Sequence, residues 1–171
     1  EAARDTAARL GLDGYIVIGG DGSLAGADAV NAAGVPTLGI PTTIDNDIAG
    51  TDMTFGFDTA VHVVSAAIDR LHTTAESHDR LMVVEVMGRH VGHIAARAGL
   101  AGGATAVLVP EHPFDVDVVA EHLRFRHAIG RFASIVVVAE GAVPKDGTID
   151  RPHRPLDDFG HEPLHGMGRV V

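Results

Sequence analysis

Apolar runs of four to six residues alternate along this chain with stretches whose apolar positions recur every three or four residues. The first pattern is that of strands buried on both faces, the second that of helices laid against a sheet. A short helix over 2–10, stopped by Gly11, leads to a strand at Tyr15-Ile16-Val17-Ile18. A helix over 23–33 follows, with Ser23 as its N-cap and Gly34 closing it, and then a strand at 35–40. After a loop at 41–56, the spacing of Val61, Val64, Ile68 and Leu71 predicts an amphipathic helix over 57–74. Further strands are predicted at 81–86, 106–109 and 135–138, and further helices at 91–98 and 115–128. Strict alternation of the two element types implies an α/β fold with doubly wound, mainly parallel sheets, which bind ligands beyond the carboxyl ends of their strands. From about residue 141 the text turns to Gly, Pro, Asp, His and Arg without apolar periodicity and reads as an irregular segment.

Three loops that follow strands carry chemistry. Gly19-Gly20-Asp21-Gly22-Ser23 lies between a strand and a helix, where residues with little or no side chain let phosphate oxygens approach the amides of a helix N-terminus. Asp21 is the candidate Mg²⁺ carboxylate there. Pro41-Thr42-Thr43-Ile44-Asp45-Asn46-Asp47 places two carboxylates in one loop. Asp45 is the candidate base for an attacking hydroxyl, and Asp47 a group that supports the metal. Taken alone, this segment also fits a plain turn whose Asx side chains bond their own backbone. Met87-Gly88-Arg89 follows the strand at 81–86, and Arg80 precedes it. Arginine's planar fork grips phosphate, so both are phosphate candidates, although either alone also reads as a solvated surface residue. Glu140 ends the most apolar strand, where a carboxylate can accept hydrogen bonds from sugar hydroxyls. Together these parts suggest phosphoryl transfer, which asks of a protein mainly positioning and charge stabilisation.

Composition narrows the partners. The chain has 171 residues, enough for a substantial core. A formal charge of -10 argues against nucleic acid or an anionic membrane as the main partner. No apolar stretch approaches the roughly twenty residues of a membrane span. With Cys 0, thiolate chemistry and disulfides are unavailable, which fits a cytoplasmic setting. The chain opens without a methionine and reads as an excerpt of something longer. His161-Glu162-Pro163-Leu164-His165 satisfies the H-E-x-x-H zinc pattern, but Pro163 is at odds with the helix that pattern needs.

The segments Ile18 to Ser23, Thr43 to Asp47, Gly56-Phe57-Asp58-Thr59-Ala60, Ala67 to His78, Val84 to Gly92 and Val138 to Gly141 together closely resemble the 6-phosphofructokinase family, its actinobacterial branch most. The resemblance runs nearly the whole length in the right order. It implies a phosphofructokinase-like fold with parts of two similar Rossmann-like domains: residues 1–56 from the nucleotide-binding domain and residues 57–171 from the sugar-phosphate-binding domain. It implies transfer from ATP with Mg²⁺ to the 1-hydroxyl of fructose 6-phosphate, in a homotetramer. By the same resemblance Gly20, Asp21, Gly22 and Ser23 line the donor phosphates with Asp21 serving Mg²⁺, Asp45 takes the proton from the sugar's 1-hydroxyl, Thr43 and Asp47 help arrange the transferring group, and Ile44 lies with them at the substrate. Met87, Gly88 and Arg89 contact the sugar phosphate, Glu140 contacts sugar hydroxyls, and Arg80 reaches a neighbouring subunit's site.

Gly22 and Thr42 occupy the positions at which the family selects its donor. Pyrophosphate users tend to have Asp and Lys there, so Gly22 and Thr42 favour ATP, with pyrophosphate as the alternative. Other kinases with a Gly-Gly-Asp-Gly turn, acting on lipids or on nicotinamide dinucleotide, are opposed by the Asp45 loop and by Met87 to Arg89. A non-catalytic assembly relic is a rival from a different class. His72 and Thr105 stand where the family's effector site has an arginine and a carboxylate, which opposes regulation by the usual effectors. The family's first glycine-rich loop and a downstream arginine segment are not in this sequence. The purified 171-residue chain should therefore show no ATP-dependent phosphorylation of fructose 6-phosphate, and detectable turnover in a coupled assay would overturn that expectation.

Overall fold

A computed structural model describes residues 2–145 and 166–171. The chain forms two compact units, the first ending at Asp58 and the second beginning at Thr59. Among the described residues no helix is long and apolar enough to cross a membrane.

The first unit contains helix α1 (Ala2–Leu10), strand β1 (Tyr15–Gly19), helix α2 (Asp21–Ala32) and strands β2 (Thr37–Thr43) and β3 (Phe55–Gly56). Its sheet has the order β1-β2-β3 and is parallel throughout, with Tyr15 opposite Thr37 and Gly19 opposite Pro41. Side chains alternate across β1. Tyr15 and Val17 share a groove with Ala2, Thr6, Ala27 and Val30 of the two helices, and the Tyr15 hydroxyl donates to the Ala3 carbonyl at 3.0 Å. Ile16, Ile18 and Leu38 point to the opposite face and are exposed. Among the described residues the helices of this unit therefore cover one face of a sheet whose strands are apolar on both.

Three local expectations change here. α2 starts at Asp21, two residues before the predicted cap, because Gly20 adopts an extended conformation as N-cap; Ser23 lies inside the first turn and caps nothing. β2 continues through Pro41 to Thr43, since proline's fixed φ suits an extended strand and the missing donor falls near the end of the β1 pairing. β3, read from the sequence as loop, pairs with the extension: Thr42 lies opposite Phe55 and Thr43 opposite Gly56.

The second unit holds most of α3 (Phe57–Ser77), then β4 (Leu81–Val86), α4 (His93–Ala101), β5 (Ala106–Leu108), α5 (Val116–Ala128) and β6 (Ser134–Ala139). The sheet order is β4-β6-β5, all parallel. β6 is central and every one of its residues is buried, as its unbroken apolar run requires. Val136 and Val138 pack with Leu108, Phe114, Ala142 and Met167, against which Val116, Val119 and Leu123 of α5 are laid. Val137 faces the other way, toward Gly99 of α4, whose backbone comes so close that an added Cβ would lie 2.6 Å from Val107 Cγ2. α4 and α5 thus cover opposite faces, which is the doubly wound arrangement the pattern predicted. α4 begins at His93 and runs to Ala101, a little later at both ends than the periodicity suggested.

The irregular reading from residue 141 fails at 166–171. A single turn of 3₁₀ helix, Met167–Arg169, buries Met167 in the core. Gly166, its N-cap, has no side chain. Glu85 of β4 stands in, accepting from Gly166 N at 2.9 Å and from Gly168 N at 3.0 Å. A carboxylate distant in sequence so satisfies amides that a local cap would otherwise take.

β4 and β6 stay paired past their ends, with Glu140 N donating to Val86 O at 2.8 Å and Gly141 N donating to Gly88 O at 3.0 Å. A Cβ on Gly141 would sit 1.9 Å from the Arg89 carbonyl oxygen. Gly141→Ala should therefore destabilise the second unit by roughly 2–4 kcal/mol through forced backbone displacement. The denaturant midpoint checks this, and an unchanged midpoint would contradict the packing described.

Candidate functional site

In the first unit the sheet's carboxyl edge sets two turns side by side. β1 delivers Gly20 to the start of α2, whose first intrahelical bond runs from Leu24 N to Gly20 O at 3.0 Å. Gly20 offers no side-chain cap, so the amides of Asp21, Gly22 and Ser23 form an N-terminal turn with the geometry and dipole that suit an anion. Asp21, Gly22 and Ser23 are exposed, and the position of a Cβ on Gly22 is open space.

β2 delivers Thr43 next to that turn. A Cβ built on Gly20 lies 3.5 Å from Thr43 Cβ, so the backbone of the glycine turn rests directly against the start of the acidic loop. Thr43 Oγ1 accepts from Asp45 N at 3.3 Å and lies 3.5 Å from Asp45 Oδ2, which ties the Asp45 backbone and carboxylate to the strand end. The rest of the loop is fixed by Thr54, which is buried. Its hydroxyl donates to Thr43 O at 2.8 Å and its amide donates to Asn46 Oδ1 at 2.8 Å, with Asn46 held in the left-handed region at φ 57. Asp45 is half-buried, while Thr42 and Asp47 are exposed beside it. The structure thus joins Gly20, Thr43 and Asp45 in one neighbourhood. The reading of this loop as a turn whose Asx side chains bond their own backbone does not describe Asn46, whose Oδ1 accepts from Thr54 N eight residues on.

Among the described residues no group of three or more His, Cys, Asp or Glu side chains could hold a metal ion. Mg²⁺ usually takes one or two carboxylates and completes its shell with substrate phosphates and water. Asp21 is an exposed carboxylate in the first turn of α2. The H-E-x-x-H segment at 161–165 lies outside the described residues.

In the second unit Met87-Gly88-Arg89 and Glu140 also gather at a carboxyl edge. Gly88 has φ 143, and its amide points at Glu140 Oε1 at 3.5 Å. Met87 is exposed and Arg89 half-buried. Arg80 is elsewhere: it precedes β4, so the length of the strand, on the order of 20 Å, separates it from Arg89. The two arginines do not share one phosphate within this unit. His72 and Thr105 serve the backbone, with His72 Nε2 2.6 Å from Gly102 O and Thr105 Oγ1 accepting from Ile135 N at 3.4 Å.

Sequence reasoning missed Thr54 and Glu111. Thr54 staples the acidic loop. Glu111, at the end of β5, accepts from Gly92 N at 2.8 Å. Only its position just after Pro110 at a strand end could have marked Glu111, and nothing local marked Thr54.

A sequence profile described as Phosphofructokinase matches residues 1–162. The ATP-dependent 6-phosphofructokinase of Corynebacterium efficiens is 52% identical over 164 residues, covering 96% of this chain and 47% of that protein. A pyrophosphate–fructose 6-phosphate 1-phosphotransferase of Streptomyces coelicolor is 53% identical over 168 residues, covering 96% of this chain and 48% of that protein. Among solved structures, phosphofructokinase from Saccharomyces cerevisiae superposes with a TM-score of 0.72 at 34% identity, over 81% of this chain and 22% of that one. The pyrophosphate-dependent enzyme from Nitrosospira multiformis gives 0.70 at 28% identity, over 84% and 40%. The chain spans about half the length of the curated relatives it matches. The parallel sheets, the two turns at each carboxyl edge and this agreement along nearly every residue lead to one conclusion: the chain belongs to the phosphofructokinase family.

Proposed function

We propose that this chain carries the acceptor base and the main phosphate-facing turns of an enzyme that moves a phosphoryl group from ATP to the 1-hydroxyl of fructose 6-phosphate. The observation that carries this reading is the seating of Gly20 beside Thr43, where a Cβ added to the glycine would lie 3.5 Å from Thr43 Cβ, which sets an uncapped helix N-terminus beside the loop of Asp45. The amides of Asp21 to Ser23 receive the donor's phosphate oxygens, and Asp45 takes the proton from the attacking hydroxyl. Thr43 holds the Asp45 backbone and carboxylate so that the base does not rotate away. Asp21 is the carboxylate for Mg²⁺, which offsets phosphate charge when bound. Asp47 supports that shell from the same loop. Met87, Gly88 and Arg89 grip the sugar phosphate, Glu140 accepts from sugar hydroxyls, and Arg80, a strand's length from Arg89, serves a neighbouring subunit. The first unit is then part of the nucleotide-binding domain and the second much of the sugar-phosphate-binding domain.

Donor choice rests on Gly22 and Thr42. The open space at Gly22 admits a nucleotide, whereas an aspartate there would project a like charge at the donor. Thr42 supplies no cation for pyrophosphate. Pyrophosphate is the second reading, favoured by relatives named for that donor at identities as high as those of the ATP users.

In the longer enzyme containing this chain, Asp45→Ser should lower kcat by roughly 10²–10⁴-fold with little change in KM for fructose 6-phosphate. Steady-state assays with ATP and with pyrophosphate measure both points. Unchanged turnover removes Asp45 from the role of base, and faster turnover with pyrophosphate reverses the donor assignment.

A further inference from the structure

The turn from Met87 to Gly92 is anchored at both ends, each time by a different neighbouring strand. At its beginning, Gly141, just past β6, donates to Gly88 O at 3.0 Å, and Glu140 Oε1 faces Gly88 N at 3.5 Å. At its end, Glu111, just past β5, accepts from Gly92 N at 2.8 Å. Gly92 is the N-cap of α4 and has no side chain to cap with. In a capping box the N-cap amide would be taken by a Glu or Gln three positions on, but that position is Ala95. Glu111 does the work from 19 residues downstream.

The contact is built for a glycine. Gly92 is buried, and a Cβ there would lie 2.4 Å from Val109 Cβ and 3.0 Å from Glu111 Oε2. With no side chain in the way, the Gly92 amide can reach a carboxylate, and negative charge at the start of α4 is favoured by the helix dipole. The same contact distinguishes the two helix starts. Neither α2 nor α4 has a side-chain cap from its own N-cap residue, but at α4 the N-cap amide is taken by the Glu111 carboxylate, whose charge disfavours an anion at that amide. Any phosphate attracted to the turn is then met by the side chain lying between the anchors, Arg89.

We propose that Glu111 is a positioning residue for Arg89. It touches no ligand, and by holding Gly92 it fixes the turn that aims the guanidinium at the sugar phosphate. The proposal rests on the reading of that turn as the sugar-phosphate site. Glu111 itself is exposed and belongs to no core cluster, although the Gly92 amide it holds is buried.

The test compares amide exchange by NMR in the 171-residue chain and its E111Q and E111A variants, before and after addition of fructose 6-phosphate. In E111A, exchange at Gly92 and back through Gly88 should quicken roughly tenfold, the loss of one hydrogen bond to a charged acceptor, while β6 and α5 stay unchanged. E111Q keeps an acceptor oxygen and should stay within roughly threefold of the parent. Fructose 6-phosphate should shift the Gly88 and Arg89 amides in the parent and E111Q, at concentrations roughly tenfold lower than in E111A. Exchange in E111A equal to the parent's overturns the proposal, as does E111Q exchanging as fast as E111A. If exchange follows the expected order while fructose 6-phosphate shifts no amide in any protein, Glu111 holds the turn as stated and the sugar-phosphate reading falls instead.

Discussion

The bringing together of loops at the carboxyl ends of adjacent parallel strands is the constraint on which both candidate sites rest. Parallel strands end in register, so the loops that leave them are forced together, and only small residues let their amides share that space. In the first unit the glycine turn meets Thr43 at the end of the adjacent strand. In the second, Gly141 lies so near the Arg89 carbonyl that any side chain would part β4 from β6. The turns are therefore positioned by the sheets themselves, with side-chain hydrogen bonds trimming their final shape.

That trimming is done mostly by residues far away in sequence. Thr54 closes the acidic loop, Glu85 satisfies the turn at Gly166 to Arg169, and Glu111 satisfies the start of α4. Three helical starts open on glycine N-caps without side chains, at Gly20, Gly92 and Gly166. Two of them receive a carboxylate in compensation. The third, at Gly20, receives none through its cap, and it is the one beside Asp45. Among the described residues, glycine-capped helix starts of similar local sequence thus differ in whether a distant carboxylate takes their amides.

This explains what could be read from the text alone. Element types were legible because β6 is apolar from Ile135 to Ala139 and because Val61, Val64, Ile68 and Leu71 repeat with helical spacing. The Gly20 and Asp45 turns were legible because each packs its chemistry into five consecutive residues. Ser23 was misread as a cap because the extended conformation at Gly20 starts the helix earlier, a choice that depends on the neighbouring strand. Met167 looked like part of an irregular tail because its burial depends on Val136 and Val138, which no local periodicity reveals. Glu111 and Thr54 were invisible for the same reason: their partners are 19 and 11 residues away. His72 and Thr105 are engaged with the backbone of Gly102 and Ile135.

The central claim is that the amides at the start of α2 and the loop of Asp45 form one phosphate-facing mouth. Titrating the ¹⁵N-labelled chain with Mg²⁺ and ATP, and following Asp21 to Ser23 and Thr43 to Asp47 together, tests it most directly. The account predicts that both sets of amides shift along a single saturation curve. Movement of one set without the other, or of neither, would contradict it.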